Sequence, residues 1–285
     1  MNSPLATPRA TIETLQRAGL YTKKRLGQHF LIDDNVIGRI LNAAALAPTD
    51  IVLEVGPGIG TLTIALLDRA AQVLAIEKDS QLLDVLTPTT DSNPRLTVIN
   101  ADALDLPTLD LPVAPTELVA NLPYQVAATV VLDCFEHIPS IQRATVMVQR
   151  EVAERMAAQP GTKAYGAYTA KLALLAHPVN SFPVSRQSFL PPPRVDSTVI
   201  TLDRRADGEC VQTPAHYRAV ADLIDAAFAN RRKTIYNNLR QRGEGSSEGS
   251  TEDLVKDALQ QAGINPQARA ETLTPSDFIR LSSIL

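Results

Sequence analysis

The chain has no tryptophan among its 285 residues, and aromatic side chains make up only 4% of it. So few large flat rings exclude an extended base-stacking platform of the kind that grips single strands. Cysteine occurs only twice, at Cys134 and Cys210. Two thiols so far apart form no disulfide framework and match no zinc spacing. Cys134 stands among apolar residues, where a core position is expected. The four histidines, His29, His137, His177 and His216, are equally scattered, so no metal site is expected. Long apolar runs are missing as well. None approaches the roughly 20 residues of a membrane-spanning helix, and Met1 to Ala10 has no apolar stretch of the kind found in a secretory leader. These absences point to a reducing, cytoplasmic setting without a membrane partner.

What is present suits a globular protein with a real core: 45% of residues are hydrophobic, and the length allows one large domain plus a small one. The net charge of −4 weighs against nucleic acid as a partner, yet its local distribution matters more than the sum. Lys23, Lys24 and Arg25 form one basic cluster. Arg231, Arg232 and Lys233 form a second with Arg240 and Arg242, and no acidic residue lies between Arg231 and Arg242. A solvated helix face and a phosphate-binding surface are level readings of these two clusters.

From Ile51 onward, short branched runs alternate with helical patterns. Ile51–Val55, Gln72–Ile76, Leu96–Ile99, Glu117–Ala120 and Ala144–Val148 read as buried parallel strands. Thr61–Arg69, Gln81–Leu86 and Val126–His137 read as the intervening helices. This alternation predicts a doubly wound α/β sheet. Helices near Glu151–Ala158 and Tyr165–Ala176 follow. The extended runs Asn180–Val184 and Val195–Leu202 then read as an antiparallel pair closing the sheet. Asp203 to Glu209 is a polar linker, after which Val220, Leu223, Ile224, Ala227 and Phe228 share one helical face. Gly243 to Ser250 has the composition of a flexible loop, and helical patterns resume at Glu252–Ala262 and Pro275–Leu281. The expected organisation is an N-terminal extension at 1–22, an α/β domain at 23–205 and a small helical domain at 206–285.

Three strand ends carry the chemistry. Gly56, Gly58 and Gly60 follow the first strand and precede a helix, where glycines let backbone approach a ligand. A dinucleotide loop would place its third glycine at position 61, which is Thr61. The spacing suits an adenosine cofactor without a pyrophosphate, although a tight turn needs glycines too. Glu77 ends the second strand, 21 positions after Gly56, where an acid can take both ribose hydroxyls. Asp102 follows the third strand; a bond to an adenine amine and a helix N-cap are level roles for it. Asn121-Leu122-Pro123-Tyr124 sits at the tip of the fourth, where open α/β sheets bind ligands. An adenine amino nitrogen is a poor nucleophile because its lone pair is delocalised into the ring. Accepting both of its N–H bonds, through the Asn121 oxygen and a carbonyl near Leu122, favours a pyramidal nitrogen with an available lone pair. Tyr124 can stack on the base.

These pieces occur with Lys24-Arg25-Leu26-Gly27-Gln28-His29-Phe30-Leu31, Gln149-Arg150-Glu151-Val152-Ala153, Phe189-Leu190-Pro191-Pro192-Pro193-Arg194-Val195-Asp196-Ser197 and Arg231-Arg232-Lys233-Thr234. The ordered set, running from Lys24 to Leu239, resembles the ribosomal RNA adenine N6,N6-dimethyltransferases, in particular their small-subunit, kasugamycin-sensitivity branch. The resemblance implies a class I methyltransferase domain with a C-terminal helical domain, using S-adenosylmethionine and releasing S-adenosylhomocysteine. It places the cofactor on His29, Leu31, Gly56, Gly58, Glu77, Asp102 and Asn121. It makes Asn121, Leu122, Pro123, Tyr124 and Phe189 the catalytic set, with Phe189 facing Tyr124 across a flipped adenine. The family's usual Gln-Asn-Phe-Leu reads Gln28-His29-Phe30-Leu31 here.

By the same resemblance the substrate is a pair of adjacent adenosines in the 3′-terminal hairpin of 16S rRNA in the small ribosomal subunit, modified during ribosome biogenesis. Lys23, Lys24, Arg25, Arg231, Arg232 and Lys233 would hold RNA phosphates, and a monomer is expected. The rival readings are a large-subunit rRNA methyltransferase conferring macrolide resistance and a non-catalytic RNA-binding assembly or transcription factor. Intact Asn121, Tyr124 and Glu77 weigh against the latter.

Overall fold

A computed structural model of the chain describes residues 1–20, 28–205, 211, 213–241 and 251–285. In chain order its elements are α1 (Pro8–Arg17), β1 (Phe30–Leu31), α2 (Asp34–Ala44), β2 (Ile51–Val55), α3 (Thr61–Leu67), β3 (Gln72–Glu77), α4 (Ser80–Thr89), β4 (Leu96–Asn100), β5 (Glu117–Asn121), α5 (Ala127–His137) and β6 (Arg143–Gln149). These are followed by α6 (Arg150–Met156), α7 (Ala167–Ala173), β7 (Ala176–Val184), β8 (Phe189–Leu190), β9 (Ser197–Arg204), α8 (Pro214–Ala227), α9 (Ile235–Arg240), α10 (Thr251–Gln261) and α11 (Pro275–Ser282).

The main sheet runs β4-β3-β2-β5-β6-β9-β7. Its first five strands are parallel, and β9 turns antiparallel against β6. The apolar runs of β2, β3 and β5 explain this arrangement. Val52, Leu53, Val73, Leu74, Leu118 and Val119 are all fully buried, as a sheet covered on both faces requires. β4 lies at the sheet edge and is only half-buried. The closing strands differ in extent from the runs read in the sequence: β7 begins at Ala176, and β9 runs from Ser197 to Arg204, leaving Val195 exposed. The pairing of β9 with β6 sets Arg143 opposite Asp203. The guanidinium meets both carboxylate oxygens there, at 2.6 and 2.9 Å.

The chain forms two compact units, one of Met1–Ala153 and Pro178–Arg204, the other of Glu154–His177 and Arg205–Leu285. The first takes in the N-terminal segment read as an extension. Asn2 and Ser3 donate their backbone N–H groups to the Asp34 carboxylate at 2.8 and 3.0 Å, and Leu15 is buried. The second takes in the helices after the fifth parallel strand, which a single boundary near 205 assigns to the sheet domain. Its core explains why: Tyr165, Ala170 and Leu174 are buried with Val220, Leu223, Ile224 and Ala227 of α8 and with Leu259 and Phe278. Phe228, the last residue of the helical face read in the sequence, is partly buried between the Tyr165 and Phe278 rings at 6.2 and 6.1 Å. The Tyr165 hydroxyl donates to the Leu273 carbonyl, and Thr274 opens α11 with a reciprocal capping box to Asp277. Most of the polar linker and all of Gly243 to Ser250 lie outside the described residues.

Glu117 opens β5 with one carboxylate oxygen buried and lacking a partner. Burial pushes its carboxyl up to about 8, with Asp50 adding to the effect and Arg143 opposing it. An acid of this kind keeps its proton more firmly in the folded chain than in the unfolded one. Stability is therefore lost as pH rises from the ordinary carboxylate range toward about 8. Urea unfolding across that range should show a shallower decline for Glu117→Gln than for the wild type; an equal or steeper decline would contradict the buried neutral acid.

Candidate active site

Neighbouring strands β2 and β5 receive their crossovers from opposite sides, and open α/β sheets bind ligands in the crevice at such a switch point. The glycine loop leaves the end of β2, and Asn121 ends β5. Between them lies a cavity of about 300 Å³, within the usual size of a small-molecule site. Its wall includes His29, Leu31, Gly56, Gly58, Glu77, Asp102, Asn121, Leu122, Pro123 and Tyr124, brought together from segments far apart in sequence.

Gly58 has a left-handed backbone with φ of 60°, and a Cβ there would stand 3.3 Å from the Phe30 ring. Both facts disfavour a side chain. The Gly58 N–H donates to one Glu77 oxygen at 3.2 Å, and the Asp79 N–H donates to the other at 2.8 Å. Burial raises the Glu77 carboxyl above the ordinary range despite these two bonds. Asp102 caps the short turn after β4, accepting from the Leu104 N–H at 3.1 Å, and it pairs with Lys78. The bond from Lys78 chiefly holds its carboxyl low. The capping role read in the sequence is thus filled, by a residue that also faces the cavity.

At the tip of β5 the Asn121 side-chain nitrogen donates to the His29 carbonyl at 3.3 Å. A carbonyl can only accept, so the amide is fixed with its oxygen turned away from His29. The Tyr124 hydroxyl shares a 2.7 Å bond with the Ser197 hydroxyl. The Tyr124 ring stacks on His29, with centroids 5.7 Å apart and planes inclined by 30°. His29 is anchored in turn through Nδ1, 2.7 Å from the Pro191 carbonyl, so that nitrogen carries a proton.

Two expectations are altered. Phe189 is 1% exposed and lies in the apolar core with Leu31 and Val199; it pairs with Leu31 across β8 and β1 and takes no part in the cavity wall. Its strand turns an apolar ring inward, and the ring against Tyr124 is that of His29. Arg231 is not a freely presented cation. Its guanidinium donates to the Tyr165 carbonyl at 2.6 Å and the Lys163 carbonyl at 3.3 Å, and it pairs with Glu271 at 3.4 Å. Arg232 and Lys233 are exposed, whereas Lys23, Lys24, Arg25 and Arg242 lie outside the described residues. Residue-level reading of the sequence overlooked Glu54 as a site residue. It stands in the wall, 1% exposed, with one oxygen unpartnered. Its signal was an acid inside an otherwise apolar run read as a buried strand, two residues before the first glycine of the loop. Among the described residues no group of His, Cys, Asp and Glu could hold a metal ion, and no helix is long and apolar enough to cross a membrane.

A mostly parallel seven-stranded sheet with a glycine-lined cavity at its strand ends defines a class I methyltransferase fold. Residues 19–285 match the family described as ribosomal RNA adenine dimethylase, and the chain belongs to that family of enzymes. It is 43% identical to ribosomal RNA small subunit methyltransferase A of Thermobifida fusca, over 98% of this chain and 95% of the relative. The protein of the same name from Rubrobacter xylanophilus is 44% identical over 91% and 93%. Among solved structures, a dimethyladenosine transferase from Plasmodium falciparum matches with a TM-score of 0.73 and 25% identity, over 89% of this chain and 96% of that one. The 23S rRNA methyltransferase ErmE matches with a TM-score of 0.65 and 31% identity, over 90% and 99%.

Gly58→Ala is expected to cost roughly 1–2 kcal/mol of stability, the penalty of a left-handed backbone for a residue with a Cβ. Urea unfolding measures it, and an unchanged midpoint would contradict a left-handed position that requires glycine.

Proposed function

We propose that this chain dimethylates the N6 amino groups of two adjacent adenosines in the 3′-terminal hairpin of 16S rRNA, taking methyl groups from S-adenosylmethionine. The observation that carries this reading is the single cavity joining the glycine loop and Glu77 to Asn121 and Tyr124. The small-subunit names of relatives at 43% and 44% identity favour that substrate over the large subunit, whose representative is 31% identical.

The residues present fit the cofactor. At Gly58 a Cβ would crowd the Phe30 ring, which also lines the cavity, and the cavity suits an adenosine-sized ligand. S-adenosylmethionine supplies a methyl group made electrophilic by its sulfonium. Glu77 would accept the ribose hydroxyls through the lone pairs left by Gly58 and Asp79, and Asp102 would take the adenine amine. His29 and Leu31 close the cavity from the N-terminal side of the chain.

The target base must leave its stack to reach such a cavity, at a cost of a few kcal/mol that is least in a loop. Asn121 would then accept one N6–H bond through its outward oxygen, and a carbonyl near Leu122 the other. The nitrogen lone pair, drawn out of the ring, is thereby directed at the donor. Tyr124, anchored by Ser197, offers the aromatic surface, and the His29 ring stacks on it. A strong base is unnecessary because the methylated ammonium is acidic. Catalysis is mainly orientation and fixed dipoles.

Asn121→Ala should lower the rate of methyl transfer to undermethylated small subunits by at least about 100-fold, the usual cost of losing one preorganised hydrogen-bonding group, while subunit binding persists. A normal rate would overturn the role of Asn121. Replacing Arg232 and Lys233 together with alanine should weaken subunit binding and reduce the slope of log affinity against log salt by roughly 1.5 to 2. An unchanged slope would remove these residues from the RNA surface.

A further inference from the structure

Glu54 is the one buried acid of the cavity wall that the proposed chemistry leaves without a task. It precedes the glycine loop in β2, is 1% exposed, and has one carboxyl oxygen that no hydrogen bond reaches. Thr61, at the start of α3 and in the same wall, also has a buried hydroxyl without a partner. Unmet polar atoms buried around a cavity are costly unless a ligand meets them.

The charged side chains around Glu54 favour a positive group there. Glu77 adds a second carboxyl, and Asp79 and Asp102 add acids at the rim. Lys78 is the only lysine or arginine among the described residues of the wall, and it is committed to Asp102. His29 is held by Pro191 and Tyr124 by Ser197. The cavity therefore favours a cation. Building on the methyl-donor reading, we infer that Glu54 distinguishes S-adenosylmethionine from S-adenosylhomocysteine by ionising when the sulfonium charge enters the cavity and returning to the neutral acid when that charge is gone. The two ligands differ in charge only at the sulfur, and comparison with a Glu54→Gln variant assigns the resulting difference in proton release to this carboxyl.

Burial pushes the Glu54 carboxyl up to about 8; the Thr63 hydroxyl beside it eases it downward, and Glu77 raises it further. The free protein thus holds Glu54 mostly neutral at neutral pH. A cation beside it favours the ionised form, so donor binding releases a proton, and donor affinity rises with pH until Glu54 is ionised without the ligand. Binding of the uncharged thioether shows little of either effect.

Titration calorimetry of the full chain with each ligand, at neutral pH in two buffers of different ionisation enthalpy, tests this. The wild type should release more protons on binding S-adenosylmethionine than on binding S-adenosylhomocysteine. Glu54→Gln, which has the shape of the neutral acid, should abolish that difference and lower the donor-to-product affinity ratio about tenfold, the scale of one charge interaction at a partly shielded site. Equal proton release for the two ligands in the wild type, or an unchanged ratio in the variant, overturns the inference while leaving the methyl-donor reading intact. Failure of the wild type to bind either ligand overturns both. Should the variant misfold, the wild-type proton counts decide alone.

Discussion

Everything at the site depends on the Glu77 carboxylate receiving two backbone N–H groups, one from Gly58 in the loop after β2 and one from Asp79 at the start of α4. The parallel register of β2 and β3 brings Val55 opposite Ile76, so the two strand ends lie side by side and the loop turns back across Glu77. Asn100, on the other flank, donates its side-chain amide to the Glu77 carbonyl. The acid is thereby locked from three strand ends while a lone pair on each oxygen stays available. Such a group is costly to bury and rewarding once a ligand arrives, because hydrogen bonds to charge strengthen where water is thin.

A second constraint works from the opposite side of the cavity. Asn121 reaches the backbone of His29, whose ring touches Tyr124 and Pro191. A residue near the N-terminus, one in mid-chain and one late in the sheet unit thus fix one another. Preorganisation of this kind lets an amide and an aromatic ring act on an amine without a dedicated base.

Much of this was legible in the sequence because parallel strands leave a strong trace. Val52 and Leu53 in the first strand and Val73 to Ile76 in the second are the apolar runs that a doubly covered sheet needs. That Gly56, Gly58, Glu77 and Asp102 sit at neighbouring strand ends was legible too, since glycine and acid spacing reports on strand-to-helix turns. What escaped was information that residue type does not carry. Phe189 and Tyr124 are both aromatic, yet strand orientation buries one in the core and sets the other in the cavity wall. Arg231 and Arg232 are adjacent and chemically alike, but the carbonyls of Lys163 and Tyr165 engage only the first. The helices of residues 154–177 follow the sheet in sequence, but their buried side chains belong to the helical unit's core. Glu54 lies inside the run read as the first strand, and its place in the cavity wall depends on which face of the sheet it occupies.

The most direct test is to incubate the chain with labelled S-adenosylmethionine and undermethylated small or large ribosomal subunits, then map the modified nucleotides. Two dimethylated adjacent adenosines in the 3′-terminal hairpin of 16S rRNA, with no label in large subunits, is the expected result. Label confined to the large subunit, or absent from both, would contradict it.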